Sequence, residues 1–294
     1  MRLGILADVH GNLPALEAVI HDMEPYRVDG VIVAGDLVGG PHVNETLRLL
    51  RSLRHWMILG NSDINELRLD RGDAPTEWHA RQQFAMLRWG HAQLSQESRL
   101  LLRALPEQIR VDLPGVAPIR VVHASTCDPY QGISPDLEPT ELGRALAETS
   151  EAVLISGHTH IPWNVERNGR LAFNPGAVCG PLNGDVRAQY ALLAWRGQRW
   201  RVQHRAVSYD LARIRADFVE SGLLEQGGPL ARAFLLSIET GTNVGMDWLE
   251  HAFRLAAEAG YRDCQVVPDD TWDQAALTFD WERAGWNASH RQTD

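Results

Sequence analysis

Three short apolar runs in the first 60 residues, at 3–7, 31–34 and 56–59, each pass directly into a polar loop containing Gly. Runs of this length fit buried strands better than helices. Between the first two, Leu16, Val19, Ile20 and Met23 recur at helical spacing over residues 13–23, and Pro14 suits a first helical turn. The start of the chain therefore reads as β-α-β. A third strand at 56–59 precedes a long region of helical periodicity, about 76–105. After Pro106, strands are predicted at 109–113, 119–123, 152–156, 163–166, 171–173, 190–194 and 199–204, separated by turn residues and richer in antiparallel pairing. That mixture predicts an α/β fold of two packed mixed β-sheets flanked by helices, an α/β/β/α sandwich.

Beyond Val207 the texture changes. Helices are predicted at 209–218 and 230–237, and Trp248, Leu249, Ala252, Phe253 and Ala256 form an apolar stripe in a third. Gly227-Gly228-Pro229 is a plausible break between them, and the last ~25 residues, polar with scattered Trp, read as partly ordered or peripheral. Residues 1–207 are thus expected to form one domain, and 208–294 a mainly helical extension serving as a cap or accessory.

Charge follows the same division. The net charge is −10, with Arg the only basic residue besides His. Fifteen Asp and Glu face seven Arg after Val207, so eight of the ten net negative charges lie there. The first two thirds would not repel a small anion, whereas the extension would repel a nucleic-acid backbone, making polymeric nucleic acid an unfavourable partner. No run approaches the ~20 apolar residues of a membrane-spanning helix. The first residues lack the basic region and long apolar stretch of a signal peptide. Cys127, Cys179 and Cys264 are too widely spaced for a disulfide framework or a CxxC pair. A cytoplasmic protein without membrane partners is expected; the oligomeric state is left open.

Five short sequences place metal-binding side chains where a predicted strand ends: Asp8-Val9-His10, Gly35-Asp36, Gly60-Asn61-Ser62-Asp63, His123, and Gly157-His158-Thr159-His160. Singly, each is ordinary, since Gly-Asp and Gly-Asn are common turns. Together and in order they are not. Residues two apart at an extended strand end point the same way, so Asp8 and His10 can share one ion, and His158 and His160 can reach neighbouring ones. In open α/β sheets the ligand crevice lies beyond the carboxyl ends of the strands, where these loops belong.

This motif set resembles that of the calcineurin-like metallophosphoesterase superfamily, and the Asp8-Val9-His10-Gly11-Asn12 run is most similar to its small bacterial and archaeal phosphodiesterase branch. The resemblance covers about residues 1–205. It implies two divalent ions, with Asp8, His10, Asp36 and His160 on the first, and Asp36, Asn61, His123 and His158 on the second. Asp36 would bridge them. It further implies that Asp36, Asn61, His123 and His158 carry catalysis, a metal-bridging hydroxide attacking a small phosphodiester in line. Such ligands suit Mn²⁺, the favoured metal, or Fe, Zn²⁺ or Ni²⁺, better than Ca²⁺. Asn12 and Ser62 are expected to face the substrate.

One position departs from the pattern. Many relatives carry His where this chain has Ser62, and there it is understood as a leaving-group acid aligned by the following Asp. Ser62 cannot protonate an alkoxide, so Asp63 would lose that role, and substrates with good leaving groups are expected. A phosphomonoesterase or phosphoprotein phosphatase is the alternative enzyme class. A non-catalytic metal-binding scaffold is a further one, less favoured because every ligand position is filled. Cys127 and Trp163 are weaker candidates for bordering the site.

Overall fold

The alternation of Leu3, Ile5 and Ala7 with Gly4 and Leu6 decides the layering. Leu3, Ile5 and Ala7 enter one core together with Ile32, Ala34 and Ile58, while Leu6 turns to the other face and packs with Leu16 and Val19. One strand thus builds two cores, as its period of two requires.

The computed structural model describes residues 1–134, 139–287 and 290. Its strands are β1 (Arg2–Leu6), β2 (Gly30–Val33), β3 (His55–Met57), β4 (Gln108–Val111), β5 (Ile119–Val122), β6 (Val153–Ile155), β7 (Trp163–Arg167), β8 (Arg170–Asn174), β9 (Ala188–Arg196) and β10 (Arg199–Val207). They form two five-stranded sheets, ordered β10-β9-β1-β2-β3 and β4-β5-β6-β8-β7. In the first, β1, β2 and β3 are parallel, with Ile5 opposite Ile32, and β9 and β10 return antiparallel. In the second, β5, β6 and β8 are parallel, and β4 and β7 close the edges antiparallel. The inner faces meet through Ile5, Ile32, Val121, Ile155 and Phe173.

Helices α1 (Leu13–Met23), α2 (Val43–Ser52), α3 (Asn61–Arg71), α4 (Thr76–Ala80), α5 (Ala85–Gln93) and α6 (Gln96–Ala104) follow the first sheet's parallel strands. Helix α7 (Pro139–Ala147) places Leu142 and Leu146 over the outer face of the second. The expected helical region at 76–105 is broken at Arg81 and Leu94, which are extended. Both breaks are satisfied locally: the Arg88 guanidinium donates to the Trp78 and Arg81 carbonyls, and Ser95 caps α6 by accepting from Ser98 N.

After Val207 come α8 (Leu211–Glu220), α9 (Leu223–Gln226), α10 (Gly228–Thr240), α11 (Val244–Glu258) and α12 (Asp269–Thr278). They share a core with Trp89 of α5 and Cys179. The final stretch is not peripheral. Trp272 is 1% exposed and Trp286 5%, and Trp248 lies 5.1 Å from Trp272 and 5.2 Å from Trp281, ring to ring. Irregularly spaced Trp carries no helical period, which hid this core from pattern reading; residues 288, 289 and 291–294 of that stretch lie outside the described residues. Among the described residues, no helix is long and apolar enough to cross a membrane.

Candidate metal centre

All five chemical motifs leave the carboxyl ends of parallel strands: Asp8 and His10 after β1, Asp36 after β2, Asn61 after β3, His123 after β5, and His158 and His160 after β6. The backbone there is bent hard. Among the described residues eight non-glycine residues have positive φ, and five of them are Asp8, His10, Asp36, His158 and His160. Each such residue costs roughly 1–2 kcal/mol against a right-handed conformation. Short polar side chains tolerate it best. The loops also approach closely: a Cβ on Gly60 would stand 2.2 Å from Asp36 Oδ1.

The side chains converge. His10 Nε2 lies 3.4 Å from Asp36 Oδ2 and 3.4 Å from His160 Nε2. His123 Nε2 lies 3.5 Å from Asp36 Oδ1, and His160 Nε2 3.5 Å from Asp8 Oδ1. Asn61 Oδ1 sits 3.0 Å from His123 Nε2 and 2.8 Å from His158 Nδ1. Two groups, Asp8–His10–His160 and Asp8–Asp36–His123, each have ligand atoms within 4.8 Å of one another. By that measure Asp8 is common to both, while Asp36 touches His10 on one side and His123 on the other.

Three backbone carbonyls orient the rings. Val38 O lies 2.9 Å from His10 Nδ1, Ala34 O 2.8 Å from His123 Nδ1, and Gly180 O 2.8 Å from His160 Nδ1. A carbonyl only accepts, so Nδ1 must carry the proton. In a neutral ring Nε2 is then a bare lone pair aimed at the cluster. Carbonyl holders leave no trace in the sequence. Burial holds His10 and His160 below the usual histidine range, with their mutual repulsion adding to it at His10. His123 differs: burial lowers it, yet the Asp36 charge prevails and its pKa is raised to about 10. Asp36 itself is held far below the ordinary carboxylate range, its burial being overcome by His123, His10 and the Ser62 N–H. Asp8 moves the other way: burial and the Asp36 charge push it up to about 6.

The remaining predicted residues have specific places. Ser62 gives its N–H and its hydroxyl to the two oxygens of Asp36, at 2.8 and 3.0 Å. Asp63 is wholly buried and accepts four N–H contacts, from Gly60, Val38 and (to both oxygens) Leu37, at 2.8–3.2 Å. Burial and the Asp36 charge push its pKa up to about 7, and the N–H donors, which only a carboxylate accepts in full, act against that. Asn12 is also wholly buried: its Oδ1 caps α1 by accepting from Ala15 N, and its amide donates to Cys179 Sγ and the Tyr209 hydroxyl. None of its polar groups is left for a phosphate in the cleft. Trp163, considered a wall of the cleft, instead packs in the outer core with Val122 and Leu154. Cys127 is exposed, its thiol 3.4 Å from Glu148.

Above the cluster lies a cleft of about 550 Å³. Its lining joins His10, Asp36, Asn61 and His158 to residues of the C-terminal helices, among them Leu230 and Phe234 of α10 and Met246 of α11. Sequence reading did not single out these residues, because a half-buried Leu or Phe on an amphipathic helix is indistinguishable from core.

The chain is similar to known proteins in sequence and fold. A profile of the calcineurin-like phosphoesterase superfamily domain matches residues 1–198. An uncharacterized protein of Methanocaldococcus jannaschii is 25% identical over 241 residues, covering 76% of this chain and 94% of that protein. The crystal structure of a metallophosphoesterase from Sphaerobacter thermophilus superimposes with a TM-score of 0.67 at 30% identity, across 82% of this chain and 99% of that one. A hypothetical protein from Pyrococcus horikoshii shares the fold with a TM-score of 0.66 at 21% identity, across 82% of this chain and 98% of that one. Alignments of that span pass beyond residue 198, so the likeness reaches into the C-terminal helices. With two thirds of its length matched to the family and both sheets in place, the chain belongs to the calcineurin-like phosphoesterase superfamily.

Proposed function

We propose that the chain is a two-metal phosphoesterase whose favoured substrate is a small phosphodiester. One observation carries this reading: His10 and His160 face each other through Nε2 atoms 3.4 Å apart, each ring donating the proton on its Nδ1 to a backbone carbonyl. Two bare lone pairs at that distance, flanked by Asp8 and Asp36, repel unless a cation joins them. The donors are imidazole nitrogen, carboxylate oxygen and one amide oxygen, a set that fits Mn²⁺, favoured here, or Fe, Zn²⁺ or Ni²⁺. In this reading Asp8, His10, Asp36 and His160 would hold one ion, and Asp36, Asn61, His123 and His158 the other. The contacts of Asp36 with His10 and His123 support its bridging place.

When bound, such a pair of ions supplies an activated water and positive charge for the phosphoryl oxygens during in-line displacement. The chain's own groups do the positioning. Ser62 fixes both oxygens of Asp36, the three carbonyls fix three rings, and Asn61 fixes the edge shared by His123 and His158. Two divalent ions against two carboxylates and one hydroxide would leave a net charge of about +1, matched to the single negative charge of a diester. The helices after Val207 act as a cap, since α10 and α11 contribute to the cleft lining.

Elemental analysis and turnover with added Mn²⁺ test the proposal. Two metals per chain are expected, with bis(p-nitrophenyl) phosphate cleaved faster than p-nitrophenyl phosphate. The reverse ratio would make the protein a monoesterase, and two metals with no turnover of either would make it a binding scaffold.

A further inference from the structure

The two sides of the cleft are chemically unlike. One is the histidine–carboxylate cluster. The other consists of Met86 of α5, Leu182, Leu230 and Phe234 of α10, and Met246 of α11. None of the five is fully buried, and Met246 is 48% exposed, although Met86, Leu230 and Phe234 are anchored from behind on the C-terminal core. Apolar side chains that keep a wet face inside a concave site are what a ligand's own apolar surface covers. The methionines add a surface that adapts to flat groups of different outline.

Phe234 sets where that ligand surface lies. Its ring stands nearly perpendicular to His10, centroids 5.5 Å apart at 77°, and it is backed by Phe218 at 6.0 Å. A group esterified to a phosphorus beside His10 has the Phe234 face of the cleft within reach.

Charge is equally one-sided. The chain has 28 Arg, yet among the described residues none lines this cleft. Outside the cluster its polar side chains are neutral, and the Ser237 hydroxyl is already committed to Ala233 O and Gly245 N. A second phosphate on the substrate would meet no cationic side chain.

Resting on the two-metal reading above, we infer that the cleft takes a singly charged phosphodiester whose retained ester arm is aromatic, of aryl or nucleobase size, seated against Phe234 and Met246. The test keeps the leaving group constant. With p-nitrophenolate leaving in each case, kcat/KM for phenyl p-nitrophenyl phosphate is expected to exceed that for methyl p-nitrophenyl phosphate by about tenfold, the scale of discrimination a partly enclosed apolar pocket supplies. Phe234→Ala is expected to cut that ratio severalfold, and Met246→Ser, at an exposed position, to cut it with less risk to folding. Calorimetry on the metal-loaded protein supplies a readout without turnover: diphenyl phosphate is expected to bind about tenfold more tightly than dimethyl phosphate. Equal kcat/KM for the two esters, or equal affinity for the two diesters, overturns the inference. Tighter binding of diphenyl phosphate with no hydrolysis of any ester would sustain it and remove the esterase reading instead.

Discussion

Ser62 donates its backbone N–H to Asp36 Oδ1 at 2.8 Å and its hydroxyl to Asp36 Oδ2 at 3.0 Å, so one residue fixes both oxygens of the carboxylate that stands between His10 and His123. Removing the hydroxyl leaves the N–H bond and frees Oδ2 to rotate away. Partners that orient metal ligands are commonly worth 10–100-fold in metal affinity. Ser62→Ala is expected to weaken binding of Mn²⁺ by roughly tenfold, read by competition with a fluorescent chelator. An unchanged affinity would mean that the N–H alone suffices.

In the proposed reaction the same position would bear on leaving-group chemistry. A serine hydroxyl cannot protonate an alkoxide at neutral pH, whereas an imidazole can, and general-acid help is worth ~10²–10⁴-fold. Ser62→His is expected to raise turnover of alkyl-leaving diesters relative to p-nitrophenyl esters, flattening the dependence of kcat on leaving-group pKa. A variant that retains its metals and keeps the same steep dependence would show that the protein does not rely on an acid at this position.

Much of the fold was legible because short apolar strands ending in Asp, His or Asn carry a strong local signal. The helix at 13–23 is observed with those bounds, and the strand segments fall within a few residues of their predicted places. The ligand candidates were legible for the same reason, each following a strand directly. What escaped depends on tertiary placement. Asn12 has the composition of a phosphate contact but is consumed by the α1 cap and by Cys179. Val38, Ala34 and Gly180 act through carbonyls, which every residue has. Phe234 faces the cleft only because α10 is docked beside His10.

His123 ties metal binding to pH. In the metal-free protein Asp36 raises its pKa from the ordinary 6.5 to about 10 despite burial. A raised basic pKa means that this pair stabilises the fold fully below about 6.5 and that the stabilisation is lost as pH rises through about 10. A metal ion held by His123, as proposed, would have to displace that proton. Binding of Mn²⁺ at pH 8 is therefore expected to release about one proton per chain, seen as a dependence of calorimetric enthalpy on buffer ionisation enthalpy. Asp8, raised to about 6, sets the acid limit: below that pH it takes up a proton and metal affinity falls. A binding enthalpy independent of buffer would place the His123 proton elsewhere.

Asp63 reaches the candidate ligand cluster through the backbone of its loops. It accepts from Val38 N at 3.1 Å, and the carbonyl of the same Val38 holds His10 Nδ1 at 2.9 Å. It also accepts from Gly60 N at 2.8 Å, beside Asn61. One carboxylate thus braces the loop after β2 against the loop after β3, and this bracing, rather than alignment of an acid, accounts for an Asp following Ser62. Asn at this position would turn an N–H₂ group toward N–H donors and leave buried donors unpaired, a loss of about 3 kcal/mol. Asp63→Asn is expected to lower the denaturant midpoint accordingly and to weaken metal binding together with it, because Val38 and Gly60 bond to different oxygens and one of them loses its acceptor. If stability falls while Mn²⁺ affinity holds, the His10 ring is kept in place by Val38 without help from Asp63.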